Sequence, residues 1–259
     1  MPFVGLHSAR IHYEIAGSAD APVLVLSNSL GADLSMWEPQ AVRFFRRFRL
    51  LRYDTRGHGR SEVTPGPYNI AQLSGDVLEL LDSLEVAAAH FCGLSMGGLI
   101  GQWIAVHAPH RLIRLVLANT AAKIGSAESW NARIEAVETK GMSAIAEPVL
   151  QRWFTPAFRL RAPEVVARFG AMLERCDPVG YAANCAAVRD MDLRESICAI
   201  GLPVLIVNGA HDSATPPEQG RFLAKSIPGA KYVELQAAHL SNVEAADEFS
   251  ECVVDFLGQ

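Results

Sequence analysis

The chain carries five cysteines, at positions 92, 176, 185, 198 and 252, and no C-x-x-C pair or cysteine–histidine spacing of a metal site. An odd set without pairing signals excludes a disulfide framework and reads as reduced, mostly buried thiols. Basic runs and basic amphipathic helices are also lacking, and the net charge is −5. Nucleic acid and membrane surfaces are therefore not expected partners, since both select for clustered cations. No apolar stretch approaches the roughly 20 residues of a membrane span. The opening segment MPFVGLHSARIHYEIAG has no apolar core behind a basic start, so no signal peptide is read there. Internal repeats, low-complexity tracts and flexible linkers are missing too. The expectation is a cytoplasmic protein that acts on a small molecule without metal or cofactor.

Half of the 259 residues are hydrophobic, enough for one sizeable α/β core. Residues 3–16 alternate loosely around a break at GLHS, as an edge hairpin does. Short apolar runs follow at 22–28, 48–54, 88–95, 112–120, 202–209 and 231–236. Strands that are apolar throughout are buried on both faces, which predicts a mainly parallel sheet between helical layers. Residues 69–86 place Ile70, Leu73, Val77, Leu80, Leu81 and Leu84 on one helical stripe. Between about 121 and 195 the alternation fails: helix-like pieces at 129–139, 142–153 and 163–174 occur without an apolar strand. The expected organisation is a core of 1–120 and 196–259 with a helical cap of 121–195 inserted over the sheet edge.

The stretch FCGLSMGGLI (91–100) sets Ser95 in G-x-S-x-G, after a strand and before a helix. That is the context of a nucleophile held on a sharp turn, where flanking side chains would clash. A phosphate loop would need a lysine after its last glycine, and none follows. A serine needs a base, and the base an orienting carboxylate. In such folds the chain order is serine, acid, histidine. Asp212 follows the strand at 202–209, and His239 follows that at 231–236, so all three converge where parallel strands end. Asp212 also suits a turn cap before Pro216, and His239 an ordinary histidine. The position after 112–120 holds Asn119 and Thr120 and offers no carboxylate. An oxyanion needs about two donors. The Met96 N–H is one, and the loop NSLGADLSMW (28–37) supplies the other, from Leu30 or the neighbouring Ser29.

These residues resemble the α/β-hydrolases with a helical cap over nearly the whole chain. YDTRGHGRS (53–61) is similar to that superfamily's D-x-R-G-x-G-x-S loop, a structural element in which His58 would have no chemical role. The chain departs from many members by carrying Asn28 and Ser29 where they have His-Gly. Within the superfamily, LSNSLGADLSMW, FCGLSMGG and CAAVRDMDLRESI (185–197) resemble the 3-oxoadipate enol-lactonases of bacterial aromatic-acid breakdown. The resemblance implies hydrolysis of a carboxylate-bearing enol-lactone through an acyl-enzyme on Ser95. The alternatives are a general carboxylesterase or perhydrolase with the same triad, or a ligand receptor on this fold. The cap offers Trp130, Arg133, Arg152 and Trp153 to the substrate's carboxylate, with Arg133 and Trp130 favoured.

Overall fold

Short strands form where leucine and valine run together between turn residues, and amphipathic helices form where apolar residues recur every three or four positions. A computed structural model describes residues 2–259. In chain order the core opens with β1 (Phe3–Gly5), β2 (Arg10–Ala16), β3 (Val23–Ser27), α1 (Glu38–Phe44) and β4 (Arg49–Tyr53). It continues with α2 (Ile70–Ser83), β5 (Ala89–Leu94), α3 (Met96–His107) and β6 (Leu112–Ala118). Five helices follow: α4 (Ala127–Lys140), α5 (Ser143–Trp153), α6 (Pro156–Arg161), α7 (Pro163–Glu174) and α8 (Pro178–Asp190). The chain then returns through β7 (Val204–Gly209), α9 (Pro217–Ser226), β8 (Lys231–Leu235), α10 (Ser241–Glu244) and α11 (Ala246–Leu257).

The eight strands make one sheet in the order β1-β2-β4-β3-β5-β6-β7-β8. The hairpin β1–β2 and the β2–β4 pair are antiparallel, and every later pair is parallel. Every residue of β3, β5 and β7 is buried, as two covered faces require. The α2 stripe of Leu73, Val77, Leu80 and Leu81 is buried, and the helix starts where the Asn69 side chain accepts the Gln72 N–H at 2.8 Å. The parallel strands present their carboxyl ends along one edge, and α4–α8 lie between β6 and β7 in chain order.

The loop after β4 ties that edge together from below. Arg56, 1% exposed, makes a two-pronged ion pair with Asp76 of α2, Nε to Oδ2 at 2.8 Å and Nη2 to Oδ1 at 2.5 Å. It also donates to the Ser8 carbonyl and hydroxyl at 3.0 and 2.7 Å. Asp54 accepts the Leu34 N–H at 2.8 Å, the Arg60 N–H at 2.9 Å and the His12 ring at 2.7 Å. His58, 2% exposed, accepts the Gly31 N–H on Nε2 at 2.8 Å. Burial pushes His58 down to about 4, against a backbone hydrogen bond at Arg56 and the field of Asp33, which pull it up.

Two outcomes follow from this loop. Removing one partner of a buried pair strands the other charge, at a cost of about 3–5 kcal/mol. Arg56→Met is therefore expected to lower unfolding free energy by that amount in a denaturant titration, and Arg56→Met with Asp76→Leu to recover part of it. For His58 the folded value lies below the unfolded one, so between about 6.5 and 4 the unfolded chain binds the extra proton and stability falls with falling pH. At about 1.4 kcal/mol per pH unit the His58 contribution to that loss is roughly 3 kcal/mol. His58→Gln is expected to flatten the pH dependence of the unfolding free energy, from denaturant titrations, by that amount over the same window.

Candidate active site

Glycine spacing sets the turn that carries Ser95. A Cβ on Gly93 would lie 2.1 Å from the Gly97 carbonyl oxygen, and one on Gly97 would lie 2.3 Å from the Ser27 carbonyl oxygen. A Cβ on Gly98 would lie 2.6 Å from the Thr120 side chain. Strand β5, helix α3 and strand β3 therefore meet backbone to backbone, and only glycine allows it. Ser95 takes φ 57° and ψ −112° between β5 and α3, a conformation most residues avoid. Its N–H donates to the Ala118 carbonyl at 2.9 Å, and its carbonyl accepts the Thr120 hydroxyl at 2.8 Å. These contacts hold the strained residue from both sides.

Asp212 and His239 stand in the loops after β7 and β8, and the His239 ring nitrogen Nδ1 lies 2.8 Å from Asp212 Oδ2. The same oxygen accepts the Thr215 hydroxyl at 2.6 Å and the Asn119 amide at 2.9 Å. Oδ1 accepts the Ala214 and Thr215 N–H groups at 2.8 and 3.0 Å. Burial by itself would raise the carboxyl, but the charge and hydrogen bond of His239 and the two bonds from Thr215 outweigh it. Asp212 is held below the usual carboxylate range. Asn119, at φ 43°, thus supports the acid from the loop where another carboxylate would have been an alternative. Its Oδ1 accepts the Ser241 hydroxyl, which ties it to the turn after His239. Thr215 and Asn119 were not legible as site residues, because both act across loops that meet only in the fold.

Ser95 and His239 line one cavity of about 330 Å³, together with Ser29, Leu30, Trp130, Arg133, Arg152, Trp153 and Tyr181. No hydrogen bond joins the Ser95 hydroxyl to the His239 ring among the described residues, a separation that substrate-free serine–histidine sites commonly show. The loop 28–34 makes a different distinction. The Ser29 N–H points to Met36 Sδ at 3.4 Å, Gly31 N–H to His58 at 2.8 Å and Ala32 N–H to the Ser29 carbonyl at 3.1 Å. Among the described residues, neither the Leu30 N–H nor the Met96 N–H has an acceptor. Met96 opens α3, so its N–H adds the positive end of the helix dipole. Asn28 braces the loop: its Nδ2 donates to the Tyr53 carbonyl at 2.8 Å and its Oδ1 accepts Trp37 Nε1 at 2.9 Å.

Residues of α4, α5 and α8, in the segment expected to form a cap, complete the cavity lining. Trp130 is buried, its Nε1 donating to the Ile124 carbonyl at 2.6 Å, and the Arg133 guanidinium lies 4.7 Å over its ring. The indole N–H is therefore spent inside the protein, and Trp130 lines the cavity. Neither Arg133 nor Arg152 forms an ion pair with a carboxylate among the described residues. Burial, and then the charge of Arg133, holds the Arg152 guanidinium below its usual value. The cap also touches the histidine loop, since the Arg152 carbonyl accepts the His239 N–H at 3.4 Å and the Trp153 carbonyl accepts the Leu240 N–H at 3.0 Å.

The geometry has close parallels among known proteins. Residues 22–251 match the model of the alpha/beta hydrolase family. A 3-oxoadipate enol-lactonase of Acinetobacter baylyi is 44% identical over 243 residues, covering 94% of this chain and 91% of that protein. The crystal structure of the enol-lactonase from Burkholderia xenovorans superposes with a TM-score of 0.99 at 50% identity, over 100% of both chains. A malate-bound thermophilic esterase from Thermogutta terrifontis reaches a TM-score of 0.93 at 26% identity, over 99% of this chain and 98% of that one. With the eight-stranded sheet, the glycine-flanked Ser95 turn and a family match across most of its length, the chain belongs to the alpha/beta hydrolase family.

Proposed function

We propose that this hydrolase opens the enol-lactone of 3-oxoadipate by acyl transfer through Ser95. The observation that carries the reading is the pair of cap arginines, without carboxylate partners among the described residues, in the cavity that holds Ser95 and His239. A neutral ester offers nothing to such a pair, whereas a substrate with a carboxylate arm satisfies it. The similarity to proteins named 3-oxoadipate enol-lactonase supports the same substrate.

In this mechanism Ser95 Oγ attacks the lactone carbonyl as His239 accepts its proton, and Asp212 orients and stabilises the imidazolium. The Leu30 and Met96 N–H groups stabilise the oxyanion. Collapse breaks the ring C–O bond, and His239 returns the proton to the departing enol oxygen. That enol remains tethered to the acyl group, and its conversion to the ketone removes it as a nucleophile. Water, deprotonated by His239, then attacks the acyl-enzyme and releases the 3-oxo diacid with Ser95 restored. Trp130 walls the cavity and fixes the Arg133 guanidinium, and Arg133 with Arg152 receives the carboxylate. The domain reading accompanies this: residues 121–195 act as the cap that places the acid arm, and 1–120 with 196–259 as the core that performs the chemistry.

Ser95→Ala is expected to fold with an unchanged denaturation midpoint and to keep less than about 1% of hydrolysis, since triad losses reach ~10⁴-fold or more. A fluorophosphonate that leaves the wild-type protein unlabelled, or substantial turnover by the alanine variant, overturns Ser95 as nucleophile.

Selectivity tests the substrate. A charge-assisted hydrogen bond is worth about 1.5–3 kcal/mol, or roughly 10–150-fold. Turnover of 3-oxoadipate enol-lactone is therefore expected to exceed that of its methyl ester by at least the lower factor. Arg133→Ala and Arg152→Ala are each expected to narrow the gap, and the double variant to erase it. Equal wild-type rates on acid and ester would favour a general carboxylesterase instead. Slow, single-turnover hydrolysis of both would favour a ligand receptor.

A further inference from the structure

Loop 28–34 contains one residue whose peptide has no conformational preference of its own. Gly31 sits at φ 85°, where a Cβ would lie 2.6 Å from Leu173, so only glycine is accommodated. Glycine also tolerates the opposite sign of φ at little cost, so the peptide between Leu30 and Gly31 is free to turn over unless something holds it. The hold is the bond from the Gly31 N–H to His58 Nε2 at 2.8 Å. Because that nitrogen accepts, the ring proton resides on Nδ1. A weaker contact, Cys176 Sγ–H to the Gly31 carbonyl at 3.4 Å, comes from the segment between α7 and α8.

His58 is in turn held by the cap. Asn184 of α8 donates to the Arg56 and Gly180 carbonyls, each at 2.8 Å, and the Arg56 backbone also hydrogen-bonds the His58 ring. Gly180 packs backbone to backbone on Gly57, where a Cβ on Gly180 would lie 2.3 Å from the Gly57 carbonyl oxygen. Tyr181, the next residue of α8, lines the active-site cavity with its ring centre 6.3 Å from that of His58. One cap helix therefore supplies both a wall of the cavity and the seat of the histidine that grips the oxyanion loop.

We propose that His58 is a positioning residue through which helix α8 sets the oxyanion loop: holding the Leu30–Gly31 peptide anchors Leu30 from its C-terminal side, and the Leu30 N–H, in the peptide before it, is left as the loop donor without an acceptor among the described residues. The assignment rests on the serine-hydrolase reading above, in which that N–H meets the oxyanion. Its acceptor function, not ring volume, is what the loop requires. Gln places an amide oxygen where Nε2 stands, Leu fills the space without an acceptor, and Asn stops short of Gly31.

The test is steady-state hydrolysis of p-nitrophenyl acetate, which needs the oxyanion donors and no carboxylate anchor, with fluorophosphonate labelling of the wild type as reference. Loss of a whole oxyanion donor costs about 10²–10³-fold in kcat, so His58→Leu is expected to lose at least ~10-fold in kcat with KM changed less than about threefold. His58→Asn is expected to lose as much, and stands in for His58→Leu should that variant not fold. His58→Gln is expected to return kcat to within about threefold of wild type. Unchanged kcat in His58→Leu and His58→Asn, a loss confined to KM, or a His58→Gln variant as impaired as the others overturns the positioning role and leaves the serine-hydrolase reading intact. Failure of the wild type to be labelled by the fluorophosphonate overturns both. A substrate-range result that excludes the enol-lactone touches neither, because the acetate ester carries no acid arm.

Discussion

The strained turn at Ser95 is the constraint to which the rest of the site is fitted. At φ 57° the residue departs from its strand and starts a helix in one step, which lifts its hydroxyl to the cavity and leaves the Met96 N–H at the helix start without an acceptor among the described residues. Strain of this kind persists only when the surroundings over-determine it. Here they do: Gly93 and Gly97 let β5, α3 and β3 approach to backbone contact, Gly98 makes room for the Thr120 side chain, and Ala118 and Thr120 grip the Ser95 peptide from β6 and its loop. The central position of β5 in the sheet makes that frame rigid, with a neighbouring parallel strand on either side.

The loops after the other strands then have to be held in register with that turn, and polar side chains do it. Asn28 and Asp54 brace the loop after β3, Asn119 bridges the loop after β6 to the acid after β7, and Thr215 closes on Asp212 from within its own loop. Buried polar groups are stable only when each finds a partner, so such networks specify one arrangement of the loops. The same networks explain why a carboxylate survives at 212: its donors keep it ionised despite burial.

The α4–α8 segment, the proposed cap, is joined to this edge through backbone as much as through side chains. Its carbonyls at Arg152 and Trp153 meet the histidine loop, and Thr155 of the cap with Ala238 shares the Glu244 carboxylate. Gly57 and Gly180 bring α8 onto the loop after β4. The segment's two cavity arginines form no ion pair among the described residues and make a local positive field within a chain whose overall charge is −5. Selection of an anionic arm in the proposed reaction depends on that local field and not on the overall charge.

Local pattern was sufficient for much of this molecule. Apolar runs at 22–28, 48–54, 88–95, 112–120, 202–209 and 231–236 correspond to β3 through β8 to within a residue or two, and the helical stripe at 69–86 contains α2. Glycine spacing around Ser95, and the order of serine, acid and histidine after successive strands, also lie in the chain itself, because strand ends and turns are encoded by neighbouring residues. What the chain could not disclose lay between loops. Ser29 and Leu30 are indistinguishable as donors until Met36 and His58 take the N–H groups on either side of Leu30. His58 reads as part of a structural loop until the fold lays it against Gly31, and Arg133 and Arg152 become a pair only when α4 and α5 close over one cavity. Sequence periodicity registers which face of an element is buried, whereas the partner of a polar atom is set by three-dimensional proximity among segments tens to hundreds of residues apart, and that was decided by the tertiary structure alone.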